Sequence, residues 1–491
     1  MRQKLSSVAG NRWDFLQGFA WNHAAKITEY VLLYIFSVVV ARSLGPFANG
    51  LYATLVSISQ LLLTFSSVAF DLALNRFVPQ FVESEAKVAY LFRQLLTVKI
   101  ILLVVLCVVL FFSWNFVGAW FSLTSPAGFY LTFVIALGCL RAISSSFAAL
   151  WISQLQPKMM FVVNSSSVLL QILAVQLTMT NHSDVRIVFL IVLLGSLFTT
   201  AAYIVGGRKY FRITPERIPL HRVRSFIGWL WANALVAYVY GKQGDIMLLS
   251  YFAIAKTSIG FYDVASSLSM LPGFIVAAGL SGISVSMFSR LTASQPTKVP
   301  VFWAKLSSFL TRLTIPVYCF MLVYSSNVIA FLYSGVYSAA AQLLQMFLVA
   351  RIAARLFGGG ENLDVLLNLN AERPAVILGI GCGAMNLALN LVLIPHLGVT
   401  GAVLGTGITT VFMDASTWFL LRRRARVPLL FKNWIQSLAV GVIPVAVVKL
   451  LVPNPTVFQL ALCGLFCIFV WSWSMILRNE PYKWIVNRRQ V

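Results

Sequence analysis

The chain has 491 residues, 59% of them apolar and only 10% charged, with 37 Lys and Arg against 14 Asp and Glu. Soluble domains carry about 25% charged residues. No water-soluble fold hides so large an apolar fraction, so the composition excludes a soluble enzyme and points to an all-α integral membrane protein. The net charge of +23 then has to be understood on a membrane rather than on DNA.

A helix crosses a bilayer with about 20 apolar residues. In chain order such stretches lie at 24–42, 48–72, 94–113, 126–150, 159–180, 185–206, 226–252, 257–285, 305–333, 338–357, 375–395, 399–421, 433–452 and 456–477, about 14 transmembrane helices. Ahead of them, residues 1–18 are mixed and basic, with Trp13, Phe15 and Phe19 interleaved. That pattern predicts a short interfacial helix rather than a cleavable leader.

An even number of spans puts both termini on one side. Loops on that side hold 27 of the 37 Lys and Arg, the opposite loops hold four, and six fall within spans. Such asymmetry predicts cytoplasmic termini. It accounts for the basic charge as topology, with membrane lipids and no nucleic acid as partners.

Two phrases recur 210 residues apart: Gly45-Pro46-Phe47-Ala48-Asn49-Gly50-Leu51-Tyr52-Ala53 and Ala255-Lys256-Thr257-Ser258-Ile259-Gly260-Phe261-Tyr262-Asp263. Their flanks, 76–81 and 286–291, fall in register, and Lys158 to Arg208 matches Arg373 to Arg423 at an offset of 215. A period this long in so apolar a chain predicts two copies of a six-helix unit. Six is even, so the copies relate by an axis along the membrane normal, with substrate between them near the midplane. The expected organisation is an N-terminal lobe at 1–207 (spans one to six), a basic cytoplasmic linker at 208–224, and a C-terminal lobe at 225–424 (spans seven to twelve). Two extra helices and a cytoplasmic tail follow at 425–491.

The loops have no room for a nucleotide-binding or external catalytic domain, and no Gly-x-x-x-x-Gly-Lys-Ser/Thr is present. The expectation is a non-enzyme with no catalytic residues and no cofactor. All six cysteines sit inside spans. Cys463 and Cys467 share a helical face, but no His joins them, so they read as small buried residues and no metal is expected. The N-x-S/T matches at Asn164 and Asn181 are short enough to arise by chance.

Ala41-Arg42-Ser43-Leu44-Gly45-Pro46, Gly50-Leu51-Tyr52, Asp71 and Asn75-Arg76-Phe77-Val78-Pro79 resemble the opening of bacterial polysaccharide-transport proteins. These are the Wzx-like oligosaccharide flippases of the multidrug/oligosaccharidyl-lipid/polysaccharide exporter superfamily. Asp245-Ile246-Met247-Leu248-Leu249 with Gly260-Phe261-Tyr262 and Ala265 is similar to their seventh and eighth spans. Asn386, Asn390, Pro395 and Gly398-Val399-Thr400-Gly401-Ala402 are similar to their eleventh and twelfth. The resemblance runs from about 41 to 402. It implies two six-helix lobes around a cavity that move lipid-linked oligosaccharide across a bacterial inner membrane, with a polysaccharide polymerase or copolymerase as possible company.

A charge in mid-bilayer costs about 2.5–3.5 kcal/mol, so it faces a cavity or a partner. Guanidinium groups bind phosphate oxygens bidentately, which suits a pyrophosphate-bearing headgroup. Arg141, followed by Ser144, Ser145 and Ser146, is the leading cavity candidate. Its alternative is a structural pair with Asp71 or Asp245. Arg351 and Arg355, one turn apart in span ten, either line the cavity or snorkel to headgroups; for Lys99 and Arg312, near span ends, snorkelling is favoured. In span seven, Gly241, Lys242, Gly244 and Asp245 read as a bending point whose charges line the cavity or form a gate, against a self-neutralising pair of Lys242 with Asp245. Gly358-Gly359-Gly360-Glu361-Asn362-Leu363-Asp364 reads as a cytoplasmic loop, with a helix break carrying an ion-coupling carboxylate as the alternative. Asp71, Asp245, Asp414 and Glu29 are the acids available for ion coupling.

The expected function is alternating-access flipping of a polyprenyl-pyrophosphate-linked oligosaccharide about a basic central cavity. The rivals are an ion-coupled drug or small-solute exporter of the same fold and a lipid-linked peptidoglycan-precursor flippase.

Overall fold

The structure is a computed structural model. It describes residues 12–477 apart from 82–83, 122, 124–126, 154–156, 179–183, 278–286, 289–290, 293–294, 370 and 454. Asn181, residues 1–11 of the N-terminal segment, part of the 286–291 flank, the far end of span eight and the tail from 478 lie outside the described residues.

Helices stand on every predicted stretch, and the described residues contain no strand. In chain order they are α1 (Arg12–Ser66), α2 (Val68–Phe77), α3 (Glu85–Trp120), α4 (Ala127–Ser153), α5 (Pro157–Thr178), α6 (Val185–Gly207), α7 (Lys209–Arg212), α8 (His221–Val239), α9 (Lys242–Tyr251) and α10 (Lys256–Ala277). After these come α11 (Val299–Val323), α12 (Ser325–Tyr333), α13 (Ala340–Ala354), α14 (Glu361–Asn368), α15 (Glu372–Leu397), α16 (Val399–Ala425), α17 (Phe431–Leu451) and α18 (Val457–Leu477). Among the described residues, nine segments are long and apolar enough to cross a membrane, and one of them, Ile27–Ser66, covers two predicted spans.

Spans one and two run together because a single residue separates them. Gly45 sits at φ 72°, ψ 172°, a conformation glycine adopts at no steric cost. Pro46 then opens the next helical segment, where its missing N–H is no loss.

The chain divides into two compact units. The first comprises Met1–Leu44, Leu55–Ala119 and Leu123–Leu235. Its core joins Phe70, Phe77, Phe92, Phe147, Trp151 and Tyr203. The basic segment after α6 is tied down to this unit. Arg93 donates to the carbonyls of Tyr210 and Ile213 at 2.8 and 2.7 Å, and Lys209 pairs with Glu85 at 3.0 Å.

The second unit comprises Gly45–Thr54, Trp120–Ser122 and Val236–Val491. Span seven is thus shared between units, and its break falls in the second. One core gathers Phe302, Trp303, Val365, Leu366, Trp418 and Leu421. Another gathers Tyr324, Val445, Val448, Cys463, Cys467 and Trp471, so the last two helices pack onto this unit and their cysteines are buried packing residues.

Large apolar side chains such as Phe112, Leu177, Leu194, Leu450 and Phe469 lie exposed. Surfaces of this kind are stable only against lipid.

Candidate functional site

The charged residues of the spans fall into clusters within each unit. In the first unit Lys99, only 1% exposed, reaches from α3 to Asp71 of α2 at 2.9 Å and to Ser145 and Ser146 of α4 at 3.0 and 2.6 Å. Ser146 also donates to Asp71 at 3.1 Å. The snorkelling expectation for Lys99 is therefore overturned: a carboxylate and two hydroxyls inside the unit offer more than the headgroup layer can. Arg141 is half-buried one turn before Ser145. Glu29 accepts from Asn164 at 2.7 Å, and Asn164 accepts from Tyr203 at 2.8 Å, which gives an apparent glycosylation motif a structural duty.

In the second unit span seven breaks between Val239 and Lys242, with Gly241 extended at ψ 171° as the N-cap of α9. Gly244 follows because a Cβ there would lie 2.1 Å from the carbonyl oxygen of Val239. Lys242 and Asp245 both lie in the first turn of α9, after the break. Lys242 pairs across to Asp263 of α10 at 2.5 Å and donates to Ser267 at 2.6 Å, so it does not neutralise its own neighbour. Asn49 donates to the other oxygen of Asp263 at 3.4 Å.

Asp245 turns into the unit and is 0% exposed. Its Oδ1 accepts from Asn390 of α15 at 2.7 Å, and its Oδ2 accepts from Thr406 of α16 at 2.5 Å and from the Tyr262 hydroxyl. Asn386 links the set, accepting from Asn390 at 3.1 Å and donating to Thr406 at 3.3 Å. The Asn390 Oδ1 is buried without a hydrogen-bond donor. One carboxylate that accepts from an amide N–H and two hydroxyls, with the Asn390 Oδ1 left as an unsatisfied acceptor, makes a site of low total charge whose ligating atoms are oxygens. That suits a proton or a monovalent cation better than a transition metal, which prefers imidazole or thiolate. Among the described residues no three His, Cys, Asp or Glu gather as a metal cluster.

A third cluster lies around span ten. Arg355 pairs with Glu361 at 3.1 Å and donates to the Gly358 carbonyl at 3.2 Å. The expected loop at 358–364 is corrected in part: residues 358–360 are non-helical, but Glu361 to Asp364 belong to α14. Gly358, at φ 97°, ends the helical run. Glu361 and Asn362 are buried, with Asn362 accepting from Trp303 Nε1 at 2.9 Å and donating to the Phe357 carbonyl at 2.9 Å. Apolar length alone marked the end of span ten; the buried polar contacts carry the chain on as an interrupted helix. Arg312, expected to snorkel, instead donates to Asn433 of α17 at 3.4 Å.

These pairings change the charge count. Of the six cations counted within spans, Lys99, Lys242 and Arg355 are paired with Asp71, Asp263 and Glu361. Asp263 and Glu361 were missed as partners. Asp263 stands inside the second repeated phrase, and a charge so placed in an apolar run was the available signal.

Comparison with known proteins follows the same lines. The family described as polysaccharide biosynthesis protein matches over residues 15–292. An uncharacterized membrane protein of Methanocaldococcus jannaschii is 24% identical over 94% of both chains. Among solved structures, the lipid II flippase MurJ in an inward closed conformation superposes with a TM-score of 0.71 at 16% identity, covering 93% of this chain and 98% of that one. An inward-facing multidrug resistance MATE family transporter of the MOP superfamily gives 0.63 at 12% identity over 81% and 94%. At these identities the structures show the fold, that of multi-pass membrane transporters. The family match covers more than half the sequence, and the chain belongs to the polysaccharide biosynthesis protein family.

Proposed function

We propose that this chain is a flippase that carries a polyprenyl-pyrophosphate-linked oligosaccharide from the cytoplasmic to the outer leaflet of a bacterial inner membrane, for surface polysaccharide biosynthesis. The observation that carries this reading is the family match over residues 15–292. Transport is by alternating access, with both termini cytoplasmic, and a polymerase or copolymerase takes the delivered product.

In this reading Arg141, Lys242, Arg351 and Arg355 serve the phosphates. Lys242 and Arg355 rest on Asp263 and Glu361, and pyrophosphate oxygens replace those carboxylates when substrate binds. Guanidinium groups suit that exchange because they hold phosphate bidentately. The break at Gly241 bends span seven, and Asp245 binds the coupling cation or proton with Asn390, Asn386 and Thr406. Asp71, already held by Lys99, is the less available carboxylate for coupling.

The pairing of Lys99, Lys242 and Arg355 with carboxylates supports a second reading, an ion-coupled exporter of small solutes, because it leaves fewer cations free to hold phosphates. One experiment separates them: the sidedness of lipid-linked oligosaccharide in spheroplasts depleted of the protein. Accumulation protected on the inner leaflet is expected of the flippase. Unchanged lipid intermediates and normal surface polysaccharide would reject it in favour of the exporter.

A further inference from the structure

The connection between α16 and α17 forms a recess of about 520 Å³ lined by Arg422, Arg426, Val427, Pro428 and Leu429. It is firmly built. Arg426 closes α16 in the left-handed conformation, φ 54° and ψ 36°, its N–H bonded to the Arg422 carbonyl at 2.9 Å. A non-glycine residue there costs about 1–2 kcal/mol. Val427, 1% exposed, plugs the core beside Leu421, and Trp418 Nε1 donates to the Pro428 carbonyl at 3.3 Å. Two guanidinium groups one turn apart thus share a clamped recess, and no described carboxylate forms an ion pair with either.

The surroundings specify the ligand further. Leu429 and Phe431 are exposed beside the recess, and the rings of Phe431 and Trp434 stack at 6.2 Å. Aromatic residues of this kind sit at headgroup level. Arg422 lies 5.2 Å over the Trp418 ring while lining the recess, whereas Arg423 lies 4.4 Å over the Phe419 ring, outside it. One wall is cationic and the other apolar, in a stretch of chain rich in Lys and Arg. The α16 C-terminus carries about half a negative charge, which by itself repels an anion, so the two arginines must supply the attraction.

We propose that the recess is a headgroup site for an anionic glycerophospholipid. Arg422 and Arg426 hold the phosphate, and the glyceride lies along Leu429 and Phe431. Basic recesses beside spanning helices bind anionic headgroups in this way. The site does not depend on what the protein transports.

The test uses the purified full chain and reads retention of phosphatidylglycerol against phosphatidylcholine by native mass spectrometry. Directed guanidinium–phosphate hydrogen bonds add to the diffuse attraction that any nearby cation supplies. The Arg422→Gln/Arg426→Gln double variant should therefore lose phosphatidylglycerol selectivity roughly tenfold or more. The Arg423→Gln/Arg424→Gln double variant, outside the recess, should lose only a few-fold, with both variants monodisperse and equally thermostable. Equal losses in the two would reduce the effect to diffuse surface charge and overturn the site. Displacement of the lipid by millimolar inorganic phosphate would overturn the lipid assignment, because the recess would then hold a free anion.

Discussion

Gly50 and Gly260 face each other across a helix contact that leaves no room for a side chain. A Cβ on Gly50 would lie 1.8 Å from the Lys256 carbonyl oxygen, and one on Gly260 would lie 2.1 Å from the Pro46 carbonyl oxygen. The relation is reciprocal, as expected where two copies of one motif meet. Each glycine is the matching position of the phrase repeated at an offset of 210. Lys256 completes the contact from within, donating to the Phe121 carbonyl at 2.8 Å and to Ser250 at 3.2 Å. Small residues let spanning helices approach closely where no water drives them together.

Gly260→Ala should therefore destabilise the protein by about 1–3 kcal/mol, the usual range for overpacking, because the clashing atom belongs to the backbone. Gly381 in α15 has nothing within 4 Å of a built Cβ. Gly381→Ala should leave stability unchanged or raise it by up to about 1 kcal/mol, since alanine is the better helix former. Thermal unfolding in detergent, followed by size-exclusion chromatography, compares the two. Equal behaviour would show that the contact is not tight.

Asp245→Asn keeps the shape of the side chain and removes its charge. If Asp245 binds the coupling ion, raising Na⁺ or lowering pH should raise the melting temperature of the native protein and not that of the variant. Tyr262, Thr406 and Asn390 can rotate or flip to bond an amide, so abundance should hold. The same ion response in both proteins would remove Asp245 from coupling.

Lys99→Met strands Asp71 beside two hydroxyls. Removing one partner of a buried pair costs about 3–5 kcal/mol, whereas replacing both with apolar residues is often neutral. The double variant Lys99→Met/Asp71→Leu should regain most of the stability lost by the single one, read as the coupling term of a double-mutant cycle in thermal unfolding. Additive losses would mean that the two residues act separately.

Arg141→Ala should abolish export without lowering membrane abundance, because Arg141 is half-buried and its neighbour Ser145 is already held by Lys99. Surface polysaccharide and immunodetected protein are measured together. Normal export would take Arg141 out of the substrate path.

Legibility differed by residue. The break in span seven was readable because Gly241 and Gly244 are rare punctuation in an apolar run, and it stands where expected. Asn386 and Asn390 were visible only through family resemblance, since an amide in a span carries no sign of what it faces. Lys99 was misread because distance from a span end says nothing about which neighbour is nearer than the headgroups. Glu361 and Asn362 were misread for a related reason, being indistinguishable from loop residues until Arg355 and Trp303 are seen to bond them.

By itself the sequence determined that this is a helical membrane protein, where its helices run, and that a motif repeats. Those properties are local or periodic: apolar length, glycine punctuation and recurrence are written along the chain. Only the tertiary structure decided which charge meets which. Lys242 chooses Asp263 over Asp245, and Asp245 chooses residues about 150 positions away. The reason is physical. In a low-dielectric interior an ion pair forms with whichever partner helix packing brings within 3–4 Å, and that depends on the rotation and register of helices, which no span of sequence records.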